Sequence, residues 1–528
     1  MKEQKPLSPH WADIAAMRVV KERGDKDTYV LASGITPSGT VHIGNFREVI
    51  TVDLVARALD SLGKKVRFLY SWDNFDTFRK VPKNLPNPDA FKPYLRQAIA
   101  RIPDPWGQAA SYAQGRIDHF EEELKRVGIH PRFIYQELEY SKGHYAQEIR
   151  HVLEHRSQVM EVLNQFRTEP LAESWLPTSI YCGNCHKDTI EKEEYKGEWS
   201  YYYKCESCGT EETVDIRTCP NLKLAWRVDW PMRWHFEKVD FEPGGKDHSS
   251  EGGSHDTGKR LIRALWKEQA PTYQQYDFVM IKGGAGKMSS SSGELYTLSQ
   301  VLDIYEPMLV RWIFAGQRPN HDFAIAFDED VIKNYDEFDK SEQIAYSSAE
   351  SSDKWPLIRR IMELSNMDGK LPAVQAKRPK FRALCNHIQL CGGDIERAFE
   401  RYYAKDYGSA DDQARFQERA VRAKFWLDHH APEEFRYRLR LKKEDLSLTA
   451  QETSIIQAFR ALVEGLDLEG IEEKELANQI WEKVIKATGS ESKQAFQTIY
   501  KVLINRDQGP RLPSFLKELG KDRLLELL

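Results

Sequence analysis

Residues 28–72 constrain the fold of this chain more than any other stretch. Residues 28–33, TYVLAS, are a β-branched and apolar run ending at Gly34, the pattern of a buried strand. The turn-forming loop GITPSGT follows. From residue 43 to 62, Ile43, Val49, Ile50, Val52, Leu54, Val55, Leu59 and Leu62 recur at roughly helical spacing, and Gly63 supplies a stop. A second strand is expected over 66–72. Strand, glycine-containing loop, helix and strand in that order make a βαβ unit, whose crossover is right-handed because a right-twisted strand feeding a right-handed helix packs back onto the sheet with one hand. The sheet is therefore expected to be parallel, with the loop at its carboxyl edge, where such folds bind ligands.

Further along, helices are expected at 117–127 and 143–166, with a strand at 132–138 between them. A cysteine-rich stretch from about 180 to 219 interrupts this alternation. A strand-like segment at 222–230, a helix near 254–266 and a strand at 276–281 resume it. Beyond residue 315 the strand patterns disappear, and from about 355 to 528 charged amphipathic helices succeed one another. A chain of 528 residues exceeds the size at which one core keeps growing, so several domains are expected. The expected division is a Rossmann-type α/β domain over 1–315 with an inserted zinc-ribbon module at 175–220, a connecting region at 316–375, and an all-α domain over 376–528.

Apolar residues at 41% and charged residues at 30% are those of a folded soluble protein. Residues 1–25 carry charge throughout and lack the apolar core of a secretory signal. No run approaches the ~18 apolar residues that span a bilayer. A cytoplasmic protein without a membrane partner is the expectation. The net charge of −5 argues against non-specific nucleic-acid binding, since phosphate neutralisation needs Lys and Arg. No DNA partner is expected, and any RNA contact must use local basic patches.

Two loops carry phosphate-binding chemistry. In the first, Thr36-Pro37-Ser38-Gly39-Thr40-Val41-His42-Ile43-Gly44-Asn45, the glycines let backbone approach closely, a helix N-terminus offers free N–H groups, and His42 and Asn45 add side-chain donors. The plainer alternative is a tight strand-to-helix turn capped by Thr40. In the second, Lys282-Gly283-Gly284-Ala285-Gly286-Lys287-Met288-Ser289-Ser290-Ser291, Lys287 and the hydroxyls could close over a triphosphate and neutralise leaving pyrophosphate. The alternative there is a solvated loop. The pair is stronger than either member, because both loops follow buried strands.

Of seven cysteines, Cys182 and Cys185 form one CxxC pair and Cys205 and Cys208 another, with 19 residues between the pairs. That is the spacing of a zinc ribbon whose two knuckles present four thiolates tetrahedrally, a closed and hence structural Zn²⁺ site. Tyr195, Lys196, Trp199, Tyr201, Tyr202 and Lys204 beside it suit either contact with RNA or compensation for a small core.

HIGN at 42–45 resembles the HIGH motif of class I aminoacyl-tRNA synthetases, and KMSSS at 287–291 resembles their KMSKS loop. ASGITPSGTVHIGN, YSWDNFDTFRKVPKN, GKDHSSEGG and KMSSSSGE together resemble the class I type of lysyl-tRNA synthetase, a relative of glutamyl-tRNA synthetase in fold. The resemblance implies ATP-dependent ligation of L-lysine to tRNA(Lys) through lysyl-adenylate, releasing AMP and pyrophosphate, with Mg²⁺ bridging the phosphates. It implies His42, Asn45 and Lys287 as catalytic residues. Pro37, Ser38, Gly39, Thr40, Gly44, Asp247, Met288, Ser289, Ser290 and Ser291 join them around ATP, and Gly34, Thr36, Trp226, His248 and Tyr276 surround the amino acid. Asn45 replaces the last His of HIGH, and Ser290 stands where KMSKS has its second Lys, so the cationic contact falls to Lys287, helped by Lys282.

Lysine selection needs an anion for the ammonium and flat walls for the stem. Asp73, Asp76 and Asp229, expected at strand ends, and Trp226, Trp230 and Tyr276 are the candidates. As alternatives, such Asp residues cap helices and such Trp residues fill the core. In the helical half, Arg359, Arg360, Lys377, Arg378, Lys380, Arg382, Arg397, Arg401, Arg419, Arg422, Lys424 and the basic stretch 436–443 make a locally positive region, where the resemblance implies an anticodon-binding domain. Competing readings are a glutamyl or glutaminyl enzyme on the same scaffold, a tRNA-binding paralogue without charging activity, and a nucleotidyltransferase that uses the two loops without RNA.

Overall fold

The computed structural model describes residues 10–83, 85–284, 295–348, 353–440, 442–443, 446–468 and 470–528. The expected βαβ unit is present. Strand β1 (Thr28–Ile35) follows helix α1 (Trp11–Arg23), helix α2 (Ile43–Ser61) follows β1, and β2 (Lys65–Trp72) lies parallel to β1 with Gly34 opposite Ser71. Helix α3 (Tyr112–Arg126) leads to β3 (Arg132–Tyr135), which pairs with β2. The chain then crosses to the other side of β1. There helix α4 (Trp226–Glu237) precedes β4 (Phe241–Gly245), and helix α5 (Ser254–Trp266) precedes β5 (Thr272–Tyr276). The five-stranded sheet has the order β5-β4-β1-β2-β3, and every pairing in it is parallel. Strand order reverses between β1 and β4, so a crevice opens outside their carboxyl ends.

Helix α2 is buried nearly all round, at Ile43, Phe46, Val49, Ile50, Val52, Leu54, Val55 and Leu59, because it packs on β1 and β2 with α1 also against it. Two of its polar residues tie later segments down. Arg47 donates to the carbonyls of Arg318, Pro319 and His321. Asp53 pairs at 2.5 Å with Arg311, a fully buried guanidinium that also donates to the carbonyls of Leu364, Ser365 and Val127.

Several sequence expectations are corrected. The segment read as a strand over 222–230 is a strand only at Leu222–Leu224, after which α4 begins. Its Trp226, Trp230 and Trp234 recur every fourth residue, which is a helical period, and their rings meet in succession, the first pair stacked at 5.4 Å and the second tilted at 5.1 Å. The strand read over 276–281 is two strands in different sheets: β5 ends at Tyr276, and Val279–Ile281 pairs in parallel with Phe323–Ile325. Strands therefore do not end at residue 315. The helix read over 143–166 breaks at His155 into Ala146–Glu154 and Arg156–Asn164, and 132–138 turns helical after Tyr135.

The cysteine-rich insertion is closed at its base by Thr178–Ile180 pairing antiparallel with Leu222–Leu224. Above it stands a three-stranded antiparallel sheet of Ile190–Gly197, Ser200–Cys205 and Glu211–Asp215. Tyr201 and Tyr203 are fully buried in a core that runs on into Tyr140, Val152 and Val228, so the aromatic residues of the second strand divide between core and surface.

The chain forms two compact units. One comprises Met1–Leu302, Pro307–Ile325 and Ile344–Pro372, and the other Asp303–Glu306, Ala326–Gln343 and Ala373–Leu528. In the second unit, every regular element of the described residues from 373 onward is a helix. Its core gathers Ile455, Phe459, Leu476, Ile499, Leu503, Phe515 and Leu524. Among the described residues no helix is long and apolar enough to cross a membrane.

Candidate active site

A cleft of about 520 Å³ lies at the carboxyl edge of the five-stranded sheet, where strand order reverses. It gathers Gly34, Thr36, Ser38, Gly39, Thr40, His42, Gly44, Asn45, Asp73, Trp226, Asp247, His248 and Tyr276, drawn from five separate stretches of chain. Pro37 is buried and does not line it. Lys287, Met288, Ser289, Ser290 and Ser291 lie outside the described residues, while Phe278 and Val279, which precede them, line the cleft.

The N-terminus of α2 differs from expectation. The cap is His42, not Thr40: its Nδ1 accepts from the Gly44 amide at 3.1 Å, and the Asn45 side-chain oxygen accepts from the His42 amide at 3.0 Å. The Ile43 amide donates to the Tyr296 carbonyl at 2.8 Å. First-turn amides expected to be open to phosphate are thus engaged within the chain. Accepting at Nδ1 leaves the imidazole proton on Nε2, so His42 is held in the tautomer that donates from Nε2. Tyr112 donates to the Ser38 carbonyl at 2.7 Å and braces the loop before the cap.

The acids of the cleft fall into two groups. Asp73 pairs with Arg233 at 2.6 Å, and Asp76 with Lys223 at 2.7 Å. Asp229 does not line the cleft: it sits inside α4 rather than at a strand end, pairs with Arg233 at 3.2 Å and accepts from the Tyr140 hydroxyl. The acid that sequence reasoning missed is Glu48, one turn into α2. Its carboxylate accepts from the Gly34 amide at 2.9 Å and the Tyr276 hydroxyl at 2.6 Å, and among the described residues no cation pairs with it. Burial pushes the Glu48 carboxyl up to about 8, against the lowering effect of those two hydrogen bonds. The sequence signal was weak, since Glu48 directly follows Arg47 and shares its helix with Asp53, as an ordinary charged pair would. Nearby on β4, burial likewise raises Glu242 to about 7.

Gly34 is required where it stands, because a Cβ there would lie 2.6 Å from the Ser71 carbonyl oxygen of β2. Trp226 stacks on Trp230 at 5.4 Å and 12°, and His248 meets the edge of Trp230 at 6.1 Å, so one wall of the cleft is aromatic. The site therefore offers flat walls, acceptor groups at its floor and a helix-capping imidazole. Such a surface suits a ligand with an apolar stem that ends in a cation.

Away from the cleft, the four thiols of Cys182, Cys185, Cys205 and Cys208 lie within 4.8 Å of one another, with Cys182 and Cys208, and Cys185 and Cys205, each 3.6 Å apart. Metal–sulfur bonds of ~2.3 Å in a tetrahedron put sulfurs about 3.8 Å apart, whereas a disulfide needs about 2.05 Å. The set fits a metal ion and not disulfides.

The family of tRNA synthetases class I (K) matches residues 9–368. Full-length relatives include proteins named lysine–tRNA ligase. One from Borreliella burgdorferi is 43% identical over 97% of this chain and 98% of its own. That of Treponema pallidum is 42% identical, covering 99% and 98%, and that of Pyrococcus horikoshii is 40% identical, covering 98% and 99%. With the parallel sheet, the cleft at its switch point and a match over most of the chain, this protein belongs to the class I tRNA synthetases (K).

Proposed function

We propose that this protein ligates L-lysine to tRNA(Lys) with ATP, through lysyl-adenylate and with release of AMP and pyrophosphate. The observation that carries the choice of amino acid is Glu48, a carboxyl group at the cleft with which no cation pairs among the described residues. A lysine ammonium supplies the missing charge, and Trp226, with Trp230 stacked behind it, flanks the methylene stem. Opposite a glutamate or glutamine side chain Glu48 would keep its proton and form no ion pair, so neither gains the charge pairing that lysine does. Gly34, Thr36, Asp73, His248 and Tyr276 complete this pocket.

In the same reading ATP lies over Ser38, Gly39, Thr40, Gly44 and Asp247, beside Pro37. The lysine carboxylate attacks the α-phosphorus, and pyrophosphate leaves. Aligning the reactants and stabilising charge on the phosphoryl oxygens is the protein's task. His42 donates from Nε2, Asn45 holds the His42 backbone, and Lys287, with Met288, Ser289, Ser290 and Ser291, serves the leaving group. Mg²⁺ arrives with the triphosphate as part of that substrate. Cys182, Cys185, Cys205 and Cys208 would hold a structural Zn²⁺, whose contribution is to cross-link the two knuckles. The functional division is a catalytic region over 1–315 with the zinc ribbon at 175–220, a connecting region over 316–375 and an all-α anticodon-binding domain over 376–528, acting in the cytoplasm with tRNA and not DNA as its polymer partner.

Charging of total tRNA with labelled lysine, glutamate and glutamine, in the presence of ATP and Mg²⁺, tests the proposal. Lysine alone should be esterified. Charging with glutamate or glutamine, or with none of the three, would refute it.

A further inference from the structure

Thr36 lines the cleft, and the one proton of its hydroxyl is engaged: Oγ1 donates to Asp76 Oδ2 at 2.9 Å. A hydroxyl whose proton is held on one side presents only lone pairs on the other. Its partner Asp76 is held in turn by Lys223, whose Nζ donates to Asp76 Oδ1 at 2.7 Å and to the Phe75 carbonyl at 3.0 Å. Lys223 does not belong to the sheet that builds the cleft. It sits on Leu222–Leu224, opposite Ser179, at the base of the cysteine-bearing insertion.

The rest of that base grips the same loop. Tyr181 donates to the Phe75 carbonyl at 2.9 Å, and Asp188 accepts from the Thr77 hydroxyl at 2.7 Å while pairing with Arg96. Three consecutive residues after β2 are therefore set by side chains of the insertion. Burial alone would raise the Asp76 carboxyl, and Lys223 foremost, with the Thr36 hydrogen bond and Arg233, more than reverses this, leaving it below its ordinary value and ionised. An ionised Asp76 can only accept, which fixes the direction of the Thr36 hydroxyl.

We propose that Lys223 is a positioning residue for amino-acid recognition: by holding Asp76, it makes Thr36 present its oxygen as an acceptor to an ammonium of the bound amino acid. The insertion thereby sets the polarity of a pocket it does not line. This rests on the reading of the cleft as a lysine pocket, and it adds a residue to that pocket's recognition that sequence spacing does not mark.

The test is steady-state charging by the full-length enzyme and its Lys223→Met and Lys223→Gln variants, with KM for lysine and for ATP measured separately and unfolding followed alongside. Losing one charge-assisted hydrogen bond in the chain should raise the lysine KM of Lys223→Met about tenfold or more and leave the ATP KM within about twofold. Lys223→Gln keeps an N–H donor for Asp76 and should recover much of the lysine KM. Below neutral pH the Met variant should weaken further, because Asp76 without its cation takes up a proton and can then donate to Thr36. If Lys223→Met does not fold, Asp76→Asn takes its place in the same comparison. A lysine KM that stays at the wild-type value, or that rises in step with the ATP KM, overturns the proposal. Wild-type enzyme that fails to charge lysine refutes the functional reading itself, an outcome distinct from an unshifted variant.

Discussion

His42 illustrates how one side chain serves structure and chemistry at once. Its Nδ1 caps α2 while the proton stays on Nε2. His42→Ala removes both, so charging should collapse and the melting temperature should fall, an N-cap being worth about 1 kcal/mol. His42→Asn restores a capping acceptor without the ring, and should melt near wild type yet charge tRNA poorly. Equal activity of the Asn variant and wild type would remove the imidazole from catalysis. Glu48 supports a second prediction. Without ligand it keeps its proton up to about pH 8. A lysine ammonium displaces that proton, so lysine affinity should rise with pH up to about 8 and then level off. The ligand-free fold moves the opposite way. A carboxyl that holds its proton more tightly folded than unfolded costs stability as pH climbs from about 4.5 to about 8. Glu48→Gln should abolish both dependences and raise the lysine KM by roughly two orders of magnitude, the effect of losing a desolvated charge pair. Isothermal titration with lysine across that pH range checks the first claim and thermal unfolding the second.

Elements inherit these residue-level devices. The insertion has two small knuckles, at Cys182–Cys185 and Cys205–Cys208, joined to a sheet that shares its core with helices of the α/β unit. Metal cross-linking should therefore stabilise more than the ribbon. Wild-type protein is expected to carry one equivalent of the proposed zinc by atomic emission, and Cys182→Ser to lack it and melt at a lower temperature. A variant that keeps both its metal content and its stability would remove Cys182 from the ligand set. The helix Ala410–His429 shows a different device. Its Arg419 is fully buried between Glu306 at 2.5 Å and Asp339 at 2.9 Å, with Arg378 bound to Glu306 and Glu342 beside it. Removing the guanidinium leaves buried Glu306 only Arg378 and buried Asp339 only Lys380 at 3.5 and 3.3 Å, so Arg419→Ala should destabilise the helical unit by about 3 kcal/mol in denaturant titrations, a loss a surface ion pair would not produce.

For the whole molecule, the positive charge counted along the helical half overstates what RNA can meet. Arg419 and Arg378 face buried acids, Arg360 pairs with Asp13, and Arg422 donates to the carbonyls of Tyr305 and Glu418. Arg382 and Arg397 are exposed. Arg397→Glu should raise the KM for tRNA and reduce the salt dependence of its binding, with the lysine KM unchanged, because a phosphate that the protein no longer neutralises keeps its counterion. Unchanged tRNA binding would take Arg397 out of the RNA surface.

Local pattern was enough to place β1, α2 and β2, because strand and helix periods differ and glycine ends both runs. It was also enough to pair the cysteines, whose spacing reports a short-range constraint, and to mark the loop from Thr36 to Asn45. Period failed at α4, where tryptophans spaced by four were read as a strand, and at Tyr276, where one apolar run serves two sheets. Tertiary structure alone decided which acid is left for a ligand. Asp73, Asp76 and Glu48 are all acids, but Arg233 and Lys223 reach the first two from 160 and 147 positions away, and among the described residues no cation reaches Glu48. Charge neutralisation of this kind depends on distances through space, and no sequence spacing encodes them.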